Sequence, residues 1–154
     1  MKKIIVALSL LLPLGAEATV SGVFNCQSKV MSVVKANGRT IRQTTYGSST
    51  ITFFPDGTMT GTNPASPYVS HGTWVQRGKA IFTYPDINDA ARDAIYGCSL
   101  TGASCIFLGA TADGKGVVNK TENVIKGTSK VNLSMIVNGI MVNNNATNTF
   151  TCSQ

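Results

Sequence analysis

The amino-acid sequence predicts an all-β protein, an antiparallel meander of eight to ten strands closing into a small β-barrel with one short helix; a β-sandwich is the alternative. Three observations carry that expectation. Apolar residues recur with period two along most of the chain, the pattern of half-buried strands. Turn signals such as Asn37-Gly38, Asp56-Gly57 and Asn138-Gly139 fall between those runs. Cys26 and Cys152 stand in the first and last runs, where a bridge between them would help seal a barrel seam.

The first residues read as an address. Lys2 and Lys3 precede an apolar run over residues 4–14, and Ala16-Glu17-Ala18 places small residues where a signal peptidase reads. That run falls short of the ~20 apolar residues a membrane-spanning helix needs. Residues 1–18 are therefore expected to be a cleaved signal peptide and residues 19–154 a single β-barrel domain, exported by a bacterium and either periplasmic or secreted. Residues 19–154 carry eleven Lys and Arg against six Asp and Glu, a net charge of +5. Abundant Thr, Ser and Asn suit strands with uncharged polar outer faces and many turns.

The elements follow in order. Residues 22–34 open the domain, Asn37-Gly38 turns the chain, and residues 39–46 return. Gly47-Ser48-Ser49 reads as a break. Residues 50–54 then run into Pro55-Asp56-Gly57, where Pro presets its own φ and Gly accepts a positive one, and residues 58–62 return. Residues 63–67 hold two prolines and form a loop. Residues 72–75 and 80–84 pair through a turn at Arg77-Gly78. A helix over residues 88–96 is capped by Asn88, has Asp89 in its first turn and ends at Gly97. Residues 105–111 are a strand, and Asp113-Gly114 turns toward Val117. Residues 131–137 and 140–142 form the clearest hairpin, through Asn138-Gly139, and residues 147–152 close the domain.

An even number of cysteines in an exported chain reads first as disulfides. Four cysteines allow three connectivities. The preferred one joins Cys26 to Cys152, first strand to last, and Cys98 to Cys105, closing a short loop. A zinc site lacks the C-x-x-C pair, and no metal or cofactor is expected.

The run Ile51-Thr52-Phe53-Phe54-Pro55-Asp56-Gly57-Thr58, then Gly72-Thr73-Trp74, then Gly78-Lys79-Ala80-Ile81, resembles bacterial secreted lipocalin-like (calycin-type) domains. There, a strand ending in a D-G-T turn precedes a G-T-W strand and a tight hairpin. The resemblance implies a barrel whose inward side chains, Phe53, Met59, Trp74, Phe82, Leu133 and Met135, line a cup for a small apolar or amphipathic ligand. The same side chains would also serve as a filled core. Phe24-Asn25-Cys26 with the terminal Cys152 is similar to periplasmic lysozyme inhibitors. However, the S-G-x-x-Y segment of those inhibitors is absent, and a +5 chain is repelled by a basic lysozyme. The broader alternative is an envelope protein that inhibits or binds another secreted protein through an exposed loop over residues 63–70, with Tyr68 and His71 as contacts.

No enzymatic constellation is expected. His71 is the one histidine, Ser70 beside it points to the opposite face of a strand, and no G-x-S-x-G elbow is present. The stretch from Gly109 to Lys115 approaches a phosphate-binding loop, but Gly116 replaces the hydroxyl residue that would meet magnesium, so a β-turn is expected. Asp86, Asp89 and Asp93 read as carboxylates near a helix start, not as a calcium loop. The basic residues are dispersed, with no aromatic interleaving in the late group, so no nucleic acid is expected as a partner, and no stable membrane insertion.

Overall fold

The computed structural model describes residues 20–154; the expected signal peptide lies outside the described residues. Eight antiparallel strands form a closed ring in chain order: β1 (Gly22–Ala36), β2 (Arg39–Phe53), β3 (Thr58–Thr62), β4 (Ser70–Arg77), β5 (Ala80–Pro85), β6 (Cys105–Val118), β7 (Val124–Val137) and β8 (Ile140–Ser153). One helix, α1 (Ile87–Ser99), connects β5 to β6. The ring is an up-and-down barrel sealed by pairing of β1 with β8, with Cys26 directly opposite Cys152 and bridged to it.

Local chemistry accounts for the turns. Asn37 and Gly38 have φ of 48° and 70°, and Asn138 and Gly139 have 49° and 81°. Both central residues of each turn are left-handed, the geometry whose twist matches paired strands. Gly57 (φ 84°) closes the β2–β3 turn, where the Asp56 carboxylate accepts from the Thr58 amide at 2.9 Å and the Thr58 hydroxyl at 2.6 Å. Those two bonds hold the Asp56 carboxyl below its usual pKa.

Three expected boundaries are corrected. β2 passes unbroken through Gly47-Ser48-Ser49, because β1 pairs with it residue for residue and Gly47 lies opposite Ser28. β6 likewise runs straight through Asp113-Gly114. The glycines there do not turn the chain; they let two walls approach. Gly116 and Gly127 face each other across β6 and β7. A Cβ on Gly127 would press on the Lys115 carbonyl, stand 2.6 Å from the Gly116 Cα and 2.8 Å from the Phe150 ring. Thirdly, α1 is capped by Asp86, whose side chain accepts from the Asn88 amide at 2.8 Å, and it continues past Gly97 to Ser99. Asp86 directly follows Pro85 at the end of β5, so the capping carboxylate stands two residues before Asn88.

These glycines make a testable contrast. Gly127→Ala should lower unfolding free energy by about 1–3 kcal/mol, because backbone must shift to admit the methyl. Gly97→Ala, in open space on the helix, should raise it by roughly 0.5–1 kcal/mol. Urea denaturation of the two variants reads both signs.

The strands differ in length, and this shapes the molecule. β3 pairs with β2 only over residues 50–53, and β5 pairs with β6 only over residues 114–117. Beyond those levels β2, β1, β8, β7 and β6 continue as an open five-stranded sheet. α1 packs along the β6 side and is tied to it by the Cys98–Cys105 bridge.

The core sits at the short end of the ring. Val20, Phe24, Phe53, Trp74, Ile81, Val118, Ile125 and the Cys26–Cys152 bridge form one buried cluster, with Phe24 at 0% exposure. Phe24 meets Phe53 edge-on at 5.7 Å between ring centroids, and Phe53 meets Trp74 edge-on at 5.2 Å, the arrangement that sets a positive ring edge against a negative face. The outer wall presents Thr50, Thr52, Thr60, Thr73, Thr128, Thr149 and Thr151, with Lys29, Lys115, Lys126 and Lys130.

Candidate functional site

Strand pleating sends alternate residues inward, and the inward series change character with height. From the sealed base upward they read Phe24, Cys26, Ser28 on β1; Phe53, Ile51, Ser49 on β2; Ile125, Gly127, Ser129 on β7; and Cys152, Phe150, Asn148 on β8. On β5, Ile81 is followed by Thr83. The ring is therefore filled with apolar groups at its base and collared by hydroxyls and one amide above.

Between base and collar lies a cavity of about 140 Å³. Ile51, Phe53, Met59, Ile81, Ile125 and Phe150 supply its apolar walls, and Ser28, Ser49, Thr83, Ser129 and Asn148 its polar ones. Asn148 Oδ1 is buried with no hydrogen-bond partner among the described residues, and Asn144 Oδ1, two inward steps further up β8, shares that condition. A buried carbonyl oxygen without a donor costs about 1–3 kcal/mol of desolvation, so the collar is set to accept a hydrogen bond that the chain itself does not provide.

Of the six side chains expected to line the cup, Phe53 and Met59 do so. Trp74 points inward but belongs to the packed base: it is 4% exposed, and its indole N–H donates to the Phe54 carbonyl at 3.0 Å. Leu133 and Met135 are inward on the open sheet, two and three inward steps above Ser129, and stand outside the cavity lining. Phe82 is on the outer wall, opposite Val75, with the Arg77 guanidinium 5.9 Å and the Lys115 ammonium 5.5 Å from its ring centre. The inward phase of β5 belongs to Ile81 and Thr83, and choosing the largest residue of the strand selected the wrong face. The polar collar went unread although its signal was in the sequence: Ser28, Ser49, Ser129 and Asn148 fall in phase with the buried apolar positions.

The loop over residues 63–69 is fastened to α1. His71 Nδ1 lies 2.7 Å from Asp89 Oδ2, and the His71 amide donates to the same oxygen at 2.7 Å. Arg92 donates to Asp89 at 2.7 Å and to the Val69 carbonyl at 2.9 Å. The Ser66 and Ser70 hydroxyls both donate to Asp93, at 3.1 and 2.9 Å. Tyr68 packs edge-on against Tyr96 at 5.5 Å under the Arg92 guanidinium. The expected contact residues Tyr68 and His71 are thus brought together on one clamp. The acidic partner of His71 is Asp89, and Ser70 is engaged by Asp93.

Burial pushes the Asp89 carboxyl up, and the His71 side-chain and backbone hydrogen bonds with the Arg92 charge outweigh it, leaving the group below its usual 3.8. A carboxyl depressed in the folded state stabilises the fold fully above its unfolded pKa, and that contribution is lost as pH falls through the folded value. The clamp should therefore hold at neutral pH and through the ordinary carboxylate range, loosening only at a pH under 3.8 as the Asp89 carboxyl protonates. Asp89→Asn should loosen it at pH 7 while leaving barrel melting nearly unchanged. Amide exchange across residues 63–71 reads the loosening, and calorimetry reads the melting.

No family model matches the chain, and no curated protein matches it in sequence. Solved structures offer a likeness in fold. The crystal structure of Neisserial surface protein A superposes with a TM-score of 0.50 at 10% identity, over 86% of this chain and 97% of that one. At that identity the likeness is one of fold, and it agrees with the all-β barrel reading. No helix among the described residues is long and apolar enough to cross a membrane.

Proposed function

We propose that the chain is an exported, non-catalytic, lipocalin-like binding barrel that holds one small amphipathic molecule between its apolar base and its polar collar. The observation that carries this reading is the unpartnered Asn148 oxygen in the polar collar above the apolar walls of the cavity. Ile51, Met59 and Phe150 would cover the apolar body of the ligand, and a hydroxyl or amine on it would donate to Asn148. Ligand pockets for drug-sized molecules run to roughly 300–1,000 Å³, whereas a cavity near 150 Å³ suits a single small ring. The ligand class is accordingly a ring-sized alcohol, phenol or amine, not a long-chain lipid. The outer wall supports a barrel surrounded by water: a lipid-facing barrel wall is a continuous apolar band, whereas here Val23, Met31, Val75, Tyr84 and Val117 are interspersed with threonines and with Lys29, Lys115, Lys126 and Lys130. The basic residues remain spread over several strands, so the reading includes no nucleic acid.

Native mass spectrometry of the protein recovered gently from its host's envelope fraction tests the proposal. A stoichiometric adduct that is lost on denaturation, and absent from Met59→Trp, is the expected result, because the larger side chain occupies the cavity. A bare mass in both proteins, with no thermal shift on adding phenol or indole, would sink it.

A further inference from the structure

The two free edges of the open sheet are unlike each other. The β6 side carries α1 and a disulfide. On the β2 side nothing among the described residues pairs with positions 39–49, and residues 39–48 are all exposed, Tyr46 at 77%. The two-residue turn makes Ala36 and Arg39 a hydrogen-bonded pair, and antiparallel pairs alternate between bonded and non-bonded. The N–H and C=O groups of Thr40, Arg42, Thr44, Tyr46 and Ser48 therefore point away from β1, into the open edge. Proteins usually blunt such an edge with charge, proline, a bulge or a covering segment, and of these β2 carries only the positive charges of Arg39 and Arg42. β2 has no proline and an unbroken register with β1.

Charge selects the occupant. Residues 20–55 and 123–154, which supply β1, β2, β7 and β8, contain no Asp or Glu, while Lys29, Lys35, Arg39 and Arg42 lie on the β1–β2 hairpin. A second copy of the chain would bring like charge to this edge. We infer that the β2 edge receives an extended segment of another protein bearing Asp or Glu at alternate positions, added as a further strand with its carboxylates on the outer face, where Arg42 of β2 and Lys29 and Lys35 of the adjoining β1 stand. This surface is separate from the cup and stands whether or not the cup binds a ligand.

The test uses the full disulfide-bonded protein and three ten-residue probes: an alternating Thr–Glu peptide, its Thr–Lys counterpart, and a Thr–Glu peptide N-methylated at alternate residues. The Thr–Glu peptide should bind and protect the amides of Thr40, Arg42, Thr44, Tyr46 and Ser48 from exchange, and the other two should not. Thr44→Pro removes one open-edge donor without touching a bond to β1, and should weaken binding about tenfold. The doubly substituted Lys35→Glu, Arg42→Glu protein keeps every backbone group and should reverse the preference toward the Thr–Lys peptide, which covers the case in which Thr44→Pro fails to fold. Equal binding of the two charged peptides, binding indifferent to N-methylation, or no binding overturns the inference. Protection of those amides without peptide, together with a dimer mass, overturns it by assigning the edge to a second copy.

Discussion

Replacing Cys26 and Cys152 together by Ala should lower the unfolding free energy by about 5 kcal/mol, the largest effect of any change considered. The bridge spans 126 positions, and on the chain-entropy account a loop that long removes about 5 kcal/mol of freedom from the unfolded chain. It also occupies the buried base: Cys26 and Cys152 are nearly inaccessible and pack among Phe24, Phe53 and Ile125. The Cys98→Ala, Cys105→Ala variant is the internal comparison. Its bridge spans seven positions and ties the helix to β6 outside the buried cluster, so the same account expects only about 2 kcal/mol. Urea titrations of the two double variants under identical conditions give the ratio. Equal losses would mean that the long bridge does not constrain the unfolded chain as its span implies.

Trp74→Ala should cost about 3–5 kcal/mol, the range for truncating a buried aromatic. The ring contact with Phe53 and the hydrogen bond to the Phe54 carbonyl disappear together. Trp74→Phe keeps most of the packing, and the Phe54 carbonyl still accepts from the Gly57 amide at 3.1 Å, so the loss should be only about 0.5–1.5 kcal/mol. Both variants bear on what Trp74 is for. As a base residue outside the cavity lining, its replacement by Phe should leave small-ligand affinity unchanged well below the melting temperature, whereas Met59→Trp should abolish it. Calorimetric titration with one phenol series separates the two. A loss of affinity in Trp74→Phe with stability intact would return Trp74 to the ligand site.

The legible parts of this fold were those written in single residues. Asn37-Gly38 and Asn138-Gly139 demand left-handed turns, Pro55-Asp56-Gly57 demands another, and the cysteines at the two ends of the strand array find each other as expected, so the closed meander followed. Less legible were features set by the ring as a whole. A glycine inside a strand and a glycine in a turn look alike along the chain. Only the closeness of β6 to β7 reveals that Gly116 and Gly127 are there to be thin. The helix cap moved two residues because Pro85 ends β5 where it does. In the cup, Phe53 and Met59 were found because they are both large and in phase. Phe82 was misplaced because size was weighed above phase, and the serines and Asn148 were passed over because a buried polar collar departs from the rule that inward means apolar.

Every strand but one pairs with its successor in the chain, and the remaining contact joins β8 back to β1. Hairpins between successive strands form within about 1–10 μs, while bringing distant segments together is entropically dearer and slows folding. Refolding of the reduced chain should therefore be quick at the six hairpins, slower where α1 intervenes between β5 and β6, and gated by the seam between residues 25–36 and 142–153 as it zips along its length. With Cys26 already joined to Cys152, that search is over before it begins. The oxidised protein should refold faster than the reduced one, even where both reach the same final structure.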